Sequence, residues 1–516
     1  MKKIFFLIAI ITILLSSCEN ATDIIQDGEV NDEKTFTSTA QMNLYLEETY
    51  DKLSTGGATL INAGTNTFNN IGVSAILTDE VGVGRGGSAT ELYRFTVATN
   101  NDYSRFIWID NYQVINYCNR ILRGSTLVTP TSTADRVLYN SILAQTRALR
   151  AFSHLQLLTY FSPNMKDDAA IGVVKMDRVP TILEKLPRNS NKEVFELIEA
   201  DLDFAALNIA PVVAARPWTY VTLPMINATR ARMYAYRGNY VKAEQFADAV
   251  ISNSNLVLTD GTVYTTSGAF YANTSNNAYK QMFQDVIRGE VIWSIGRAIG
   301  KSSISSVFNV NASNTAGVTT FDMNRSLFNI LDNSGTPWDI RRRVNIDPTA
   351  VINPTYTLGV NYQISDNLCI DKYSGITGAQ LVNDIKAFRL SEMFLIKAEA
   401  RAQAGALLTV ATILKNIRDK RSYTGARPLP VYASPTEAWA DILLERRVEL
   451  CFEGHRYIDL KRLGALANKS IERDPLDCST FNLSLCGFPV TDYRFTLPIP
   501  LREIAGNPTI AQNPGY

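Results

Sequence analysis

Long helical segments alternate along the chain with three extended regions of loop composition, and this alternation limits the folds that are open to it. The clearest helical pattern runs over residues 133–161, where apolar residues recur at the spacing of one helix face. The regions rich in Gly, Asn, Ser and Thr are residues 54–102, 255–388 and 465–498. Loops this long inside a compact protein usually carry function. We therefore predict a mostly α fold, in which one helical scaffold carries a loop-rich, partly β face.

The helix predicted at 133–161 has both a start signal and an apolar face. Ser132 followed by Asp135 forms a capping pattern at its beginning. The predicted apolar face comprises Leu138, Ile142, Leu149, Phe152 and Leu155, and the other side carries Arg147, Arg150 and His154. This pattern is typical of a long helix that packs against a core.

Two stretches resemble related helical hairpins. In residues 227–251, Gly238 and Asn239 provide a turn, and small residues permit close helix contact at Ala231, Ala235, Ala243 and Ala247. Residues 389–421 repeat the arrangement more loosely. Each stretch resembles a tetratricopeptide unit, and such hairpins stack into an α-solenoid with surfaces suited to a partner. We predict that residues 36–516 form one unit around this scaffold.

The N-terminus has the pattern of an export signal. A short basic start at residues 1–3 precedes a nearly unbroken apolar run at residues 4–15. Twelve helical residues span about 18 Å, well short of a hydrocarbon layer of roughly 30 Å. The run therefore predicts a signal peptide, residues 1–17, and not a membrane span.

The residues that end this signal resemble a bacterial lipoprotein processing site. Ser16 and Ser17 directly precede Cys18. At such sites the cysteine thiol receives diacylglycerol and becomes the new N-terminus, so the resemblance implies that Cys18 is lipidated and that residues 18–35 are a tether. The alternative is an ordinary signal peptide with a chance cysteine.

Charge and histidine content argue against several classes of function. The 516 residues include 50 Lys and Arg and 50 Asp and Glu, so the net charge is zero. A dedicated nucleic-acid binder would carry a basic excess, and we predict no nucleic-acid partner. With only two histidines in the chain, His-based metal sites and catalytic triads are not expected. We predict no metal and no cofactor.

The cysteines fit an oxidising compartment. Cys478 and Cys486 flank a short segment in a turn-rich region and are the best candidates for a disulfide. Cys118 and Cys451 lie within helical patterns, where a buried and inert thiol is expected.

Motifs that suggest enzymes lack the context that their chemistry needs. Gly82, Gly84 and Gly87 satisfy GxGxxG, but no alternating strand and helix pattern surrounds them, so a glycine loop is the better interpretation. The dense charge cluster at residues 445–462 is interpreted as Arg–carboxylate pairs that fix a helix pair. A glycosidase with two carboxylates stays open, because its acids can come from anywhere in the chain.

Several segments together resemble the SusD/RagB family. They are ILLERRVELCFEGHRYIDLKRLG at 442–464, AFRLSEMFLIKAEARAQAG at 387–405, QTRALRAF at 145–152, and the ending LPIPLREIAGNPTIAQNPGY. The similarity extends over essentially the whole mature chain, and the lipoprotein start fits it as well.

This resemblance implies a binding protein without catalysis. Family members are outer-membrane lipoproteins of Bacteroidetes, typically facing the cell exterior. They form a lid on a TonB-dependent barrel transporter of the SusC type and capture glycans, or sometimes peptides, for import. The tetratricopeptide-like helices are expected to contact the barrel, and the variable loops to bind the nutrient.

Aromatic residues beside polar ones in the loop regions are the candidates for ligand binding. Sugars stack their C–H faces on aromatic rings and hydrogen-bond through their hydroxyls. The candidates are Tyr93 with Arg94, Tyr103 with Asn101 and Asp102, Phe321 with Asp322, Trp338 with Asp339, and Tyr362 with Asn361. The alternative for each is ordinary packing of a loop onto the scaffold, and Trp108 is interpreted as a core residue.

Three hypotheses about function follow. The leading one is a surface lipoprotein that binds nutrients and delivers them to a transporter. The second is a lipid-anchored glycoside hydrolase, and the third is a structural lid of the transporter with no ligand site of its own.

Overall fold

The structure is a computed structural model that describes most of the mature chain. The described residues are 32–55, 69–181, 183–263, 277–297, 304–308, 319–347, 350–358, 362–376, 379–380 and 382–516. The predicted signal peptide, Cys18, most of the tether and Asn361 lie outside them. Among the described residues, no helix is both long enough and apolar enough to cross a membrane.

Helices form most of the regular structure, which confirms the predicted mostly α fold. In chain order the α-helices are α1 Asp32–Thr35, α2 Thr39–Thr55, α3 Asn69–Ile76, α4 Asp102–Gly124, α5 Thr133–Phe161, α6 Asn191–Asn208, α7 Leu223–Tyr236, α8 Tyr240–Asn253, α9 Ala278–Phe283, α10 Arg325–Asp332, α11 Ile340–Asn345, α12 Tyr362–Ser365, α13 Leu390–Gln403, α14 Leu407–Arg421, α15 Pro435–Glu449, α16 Arg456–Ala467, α17 Pro475–Ser479 and α18 Leu501–Gly506. Short 3-10 turns include Pro217–Thr219, Tyr356–Leu358 and Tyr493–Phe495.

The strands of the described chain form small antiparallel ribbons of two strands each. They are β1 Val81–Val83, β2 Val291–Ile295, β3 Phe321–Met323, β4 Gly375–Ile376, β5 Ala379–Gln380 and β6 Ile385–Arg389. β1 pairs with β3, β2 with β6 and β4 with β5. In the first ribbon Gly82 lies opposite Asp322. The β character predicted for the loop regions is therefore present as small ribbons, of which β1–β3 and β2–β6 join distant parts of the chain.

Both predicted helical hairpins are present. α7 and α8 meet at Gly238, whose φ of 80° is a left-handed conformation that glycine adopts without a Cβ penalty, and α13 and α14 meet in the same way at Gly405, with φ 74°. The four small residues of the first hairpin, Ala231, Ala235, Ala243 and Ala247, are fully buried. α8 also packs against α13, so the two hairpins are neighbours. This arrangement is consistent with tetratricopeptide-like stacking.

α5 is the long central helix, and one residue of its predicted apolar face is exposed. The Ser132 hydroxyl accepts a hydrogen bond from the backbone N–H of Asp135 at 3.1 Å, as the capping pattern predicts. Leu138 is 44% exposed, so its placement in the core was wrong. The reason is that the first turns of α5 project into solvent, and burial begins at Ser141.

The charged segment at 445–462 forms a buried network of ion pairs, which confirms its structural interpretation. Glu449 is at the centre, and its carboxylate accepts hydrogen bonds from Arg389 at 2.7 Å and from Arg341 and Arg421 at 2.9 Å each. Further buried pairs are Arg341–Glu445, Arg389–Glu453, Arg446–Asp459, Arg462–Glu399 and Arg456–Asp79. The network thus joins α15 and α16 to the rest of the molecule, and not only to each other.

Candidate functional site

Loop segments from distant parts of the sequence meet at one surface, which we call the loop face. It consists of residues 356–358 and 362–365, residues 473–488, which contain α17, and Arg94, and it lies over the buried β1–β3 ribbon. Cys478 and Cys486 form a disulfide with a Cα–Cα distance of 5.4 Å, and it closes the last of these segments. Hydrogen bonds between the segments then hold them together.

Asp477 is the residue at which these segments join. Its carboxyl accepts a hydrogen bond from the Asn324 side-chain amide at 2.7 Å. A Cβ placed on Gly82 would lie 2.5 Å from an oxygen of Asp477, so only glycine permits this approach of β1 to α17. This close contact explains the first glycine of the GxGxxG motif in packing terms, without a bound nucleotide.

A buried arginine supports the loop face from below. Arg473 donates hydrogen bonds to the backbone carbonyls of Ile76, Thr78 and Tyr93 at 2.7–2.9 Å. Its guanidinium also lies 3.9 Å from the ring centre of Tyr93 and 4.0 Å from that of Phe95. Arg473 therefore ties residues 473–488 to the segment that follows α3.

Two tyrosines present a pair of partly exposed rings on the loop face. The ring centres of Tyr356 and Tyr362 are 5.9 Å apart, with an angle of 47° between the rings. The Tyr356 hydroxyl donates to Asp474 at 2.9 Å, and the amide of the exposed Asn329 donates to that hydroxyl at 3.3 Å. Aromatic faces with fixed polar groups at their edges are suited to flat, hydroxylated ligands.

The candidates predicted from the first and second loop regions separate into exposed and buried residues. Tyr93 is fully buried and Phe321 is 2% exposed, with ring centres 6.0 Å apart, so these rings support the surface and are not part of it. Arg94 is exposed and donates to the carbonyl of Phe481 at 3.4 Å. Of the predicted residues, Arg94 and Tyr362 are thus the ones that the loop face presents to solvent.

Asn101 and Tyr103 have structural roles at the start of α4. The Asn101 side-chain oxygen accepts hydrogen bonds from the backbone N–H groups of Tyr103 and Ser104 at 3.0 and 3.4 Å, as an N-cap does. The Tyr103 ring packs against Gly72, where a Cβ would lie 2.6 Å from it. Both side chains are thereby engaged in packing the start of the helix.

Trp338 and Asp339 lie at a different corner, beside the end of α14. The Arg427 guanidinium covers the half-buried Trp338 ring at 4.0 Å. Asp339 is buried, caps α11 and accepts hydrogen bonds from Arg341 at 2.6–3.0 Å. Its carboxylate is therefore already occupied, which leaves Trp338 as the part of this corner that a ligand could contact.

Two residues of the loop face were missed by the sequence analysis. Phe481 is partly exposed, and its ring centre is 6.5 Å from that of Tyr93. It is followed by Asn482, so the criterion of an aromatic residue beside a polar one would have found it. Tyr356 has no Asn, Asp or Arg beside it in the sequence, so the criterion does not select it. Only the fold brings its partners Asn329 and Asp474 to it.

Burial raises the pKa values of two acids beneath the loop face. The pKa of Asp477 rises to about 8, mainly through desolvation and through the nearby Asp474, although Arg473 opposes the shift. The pKa of Asp322 rises to about 7 for the same main reason. At neutral pH each of these carboxyls is therefore protonated in a substantial fraction of the molecules.

Asp477→Asn is expected to be more stable than the parent chain at pH 8 and about as stable as the parent at acidic pH. The folded pKa lies above the unfolded value of about 3.9, so the stabilisation from the neutral carboxyl is complete below pH 4 and is lost as the pH rises toward 8. Asparagine keeps the shape and carries no charge. We expect a gain of up to about 5 kcal/mol in the free energy of unfolding at pH 8, measured by urea denaturation.

The difference between the two proteins should shrink toward zero at pH 4. Asp203→Asn, at a side chain that is 73% exposed, is the control and should leave the pH dependence unchanged. Equal stability of Asp477→Asn and the parent at both pH values would contradict the raised pKa of Asp477.

Both histidines of the chain are buried parts of the scaffold. His154 bonds through Nδ1 to the carbonyl of Arg150 at 2.9 Å, and its Nε2 accepts from the backbone N–H of Met176 at 3.2 Å. Burial lowers the pKa of His154 to about 3 and that of His455 well below its usual range, helped by surrounding arginines. Both rings are therefore neutral and enclosed.

The loop face and the helical scaffold can now be compared with known proteins. The SusD family model matches residues 339–516, which include the buried ion-pair network and the disulfide segment. SusD-like protein P2 of Formosa agariphila is 24% identical over all of this chain and 99% of its own length. SusD-like protein P38 of the same organism is 22% identical with the same coverage.

This match and the two relatives show that the chain is similar to the SusD family. Solved structures share its fold, among them a putative sugar binding protein from Bacteroides vulgatus, with a TM-score of 0.71, 21% identity, and coverage of 93% of this chain and 99% of that one. Surface glycan-binding protein A from Bacteroides fluxus has a TM-score of 0.69 and 17% identity, with coverage of 93% and 100%. The resemblance to the SusD/RagB family noted in the sequence is therefore confirmed.

Proposed function

We propose that this SusD-like protein is an outer-membrane lipoprotein on the cell surface that binds glycans, or other oligomeric nutrients, at its loop face. The observation that carries the proposal is the partly exposed Tyr356–Tyr362 ring pair, with polar groups at its edge. Two aromatic planes at this spacing can stack on sugar rings while Asn329 and Arg94 bond hydroxyls. The names of the fold neighbours that bind sugars or glycans support the same ligand class.

The proposal extends to delivery without catalysis. In this view the lipid on Cys18 holds the protein at the outer membrane, the helical hairpins contact a SusC-like TonB-dependent barrel, and the loop face passes the ligand on unaltered. The domain organisation follows from it: signal peptide 1–17, tether 18–35 and one SusD-like unit from residue 36. Co-purification of a large barrel with the tagged protein tests the partner.

Ligand binding is tested with residues 19–516 against a panel of polysaccharides and peptides, by affinity electrophoresis and then calorimetry. Replacing Tyr356 or Tyr362 by alanine should weaken binding of the ligand that emerges by about 5-fold each, because each ring contributes roughly 1 kcal/mol of stacking. Tyr220→Ala removes a partly exposed ring that packs on Tyr50 in the scaffold, and it serves as the matched control.

Three outcomes would contradict the proposal. Unchanged affinity in both tyrosine variants would move the site elsewhere, and loss of binding in Trp338→Ala would place it at the other corner. Shortened oligosaccharides in the chromatogram of an incubated ligand would show a hydrolase. Failure to bind any member of the panel, together with stable barrel association, would show a structural lid.

A further inference from the structure

A second cleft lies away from the loop face, between α4 and the C-terminal segment. It has a volume of about 650 Å³, which is within the usual range for small-molecule pockets of roughly 300–1,000 Å³. One wall is the face of α4 that carries Phe106, Ile109, Asp110 and Gln113, at helical spacing. Residues 174–186 and the region of α18 form the other walls.

The walls of this cleft are largely apolar, with a few polar groups among them. Ile109, Met176, Leu186 and Ile510 provide much of the apolar lining. Trp108 lies behind this wall, 2% exposed, and its ring centre is 4.9 Å from that of Tyr112. Such a surface favours a ligand with an apolar or ring-shaped body.

Among the described residues, the carboxyls of Asp110 and Glu503 in the cleft have no ion-pair partner. One oxygen of Asp110 is buried and has no hydrogen-bond partner among the described residues. Burial raises the pKa of Asp110 to about 7, and nothing else shifts it. Burial also raises the pKa of Glu503, opposed only by a hydrogen bond from the Trp108 indole.

The cations near the cleft donate to other groups or lie at its edge. Lys185 donates to the carbonyl of Gly506, and the buried Arg188 donates to the carbonyls of Gly172 and Phe161. Arg178 pairs with Glu184 at 2.8 Å, so that carboxylate is already balanced. Lys52, which lines an inner cavity on the other side of Asp110, pairs with Glu48 at 3.0 Å. Arg502 is exposed at the rim and contributes to neither pKa shift.

A carboxylate taken out of water is unfavourable unless it is paired, so these two acids form an incomplete set of charges. We propose that the cleft binds an organic ammonium ligand, with an amine on an apolar or ring-shaped body, and that Asp110 and Glu503 act as its counter-ions. The ammonium supplies the missing positive charge, and the body of the ligand covers Ile109 and Met176. This site is separate from the loop face and does not depend on glycan binding there.

The test uses the mature chain at pH 7.5 with two probes of the same size, benzylamine and benzyl alcohol. A fragment of eight non-hydrogen atoms should bind with a dissociation constant of about 1–5 mM, which ligand-observed NMR measures. Benzylamine should bind at least about 10-fold more tightly than benzyl alcohol. The Asp110→Asn, Glu503→Gln double variant should remove this preference, whereas Glu196→Gln, at a side chain that is 62% exposed, should keep it.

The variants are expected to fold, because asparagine replaces a buried and partnerless acid with a neutral group of the same shape. The Tm of Asp110→Asn should therefore equal or exceed that of the parent. Equal affinity of the two probes for the parent chain overturns the proposal without any variant. So does an absence of benzylamine binding up to about 20 mM, or a preference for benzylamine that survives in the double variant.

Discussion

Replacing Glu449 by alanine is expected to lower the free energy of unfolding by about 3–5 kcal/mol. Its carboxylate is fully buried and accepts hydrogen bonds from Arg341, Arg389 and Arg421. These three guanidinium groups are each at most 1% exposed, so removing Glu449 leaves buried positive charge that water cannot reach. Urea denaturation at 25 °C and pH 7 measures the loss.

An exposed ion pair provides the control for this prediction. Lys192 and Glu196 are 3.9 Å apart on α6, with side chains 63% and 62% exposed. Glu196→Ala should change stability by less than about 0.5 kcal/mol, because surface pairs contribute little. A loss of less than about 1 kcal/mol in Glu449→Ala would show that the network is not a main source of stability.

Replacing Cys18 by alanine is expected to abolish lipid attachment and to release the protein from the membrane. Each buried methylene of an acyl chain contributes about 0.8 kcal/mol, so several chains anchor a protein firmly and their loss is a very large effect. In cells fed radiolabelled palmitate, the parent chain should be labelled and recovered with the outer membrane. The Cys18→Ala chain should carry no label.

Two further versions of the protein serve as controls for this experiment. Residues 19–516, which lack both the signal and the cysteine, should appear in the soluble fraction. Ser16→Ala keeps a small residue before the cysteine and should be labelled like the parent. Label on Cys18→Ala, or membrane partition of residues 19–516 in the absence of a partner, would contradict the tether.

Much of the helical scaffold could be predicted from local patterns. The capping pair Ser132 and Asp135 and the turn at Gly238 are short-range signals, and the structure has a helix start and a hairpin at these places. α4 begins at Asp102, and Asn101 is its N-cap. The polar residues around Asn101 were interpreted as a ligand site, although an Asn at that position is also a helix cap.

The candidate site was less predictable because exposure is not a local property. Tyr93 and Tyr362 each lie beside a polar residue in a loop, yet Tyr93 is fully buried under Arg473 while Tyr362 remains partly exposed. Tyr356 gains its hydroxyl partner from Asp474, which is 118 residues away in the chain. The local sequence around a residue does not show which distant residues will contact it.

The sequence by itself determined the helical scaffold with its two hairpins and the resemblance to the SusD/RagB family. Helix periodicity, caps and turns act over a few residues, and the signatures at 387–405 and 442–464 are continuous segments. Only the tertiary structure decided which loop aromatics face solvent and which arginines neutralise Glu449. Those outcomes depend on segments separated by 28–108 residues along the chain that meet when the core forms, and burial then determines both exposure and charge.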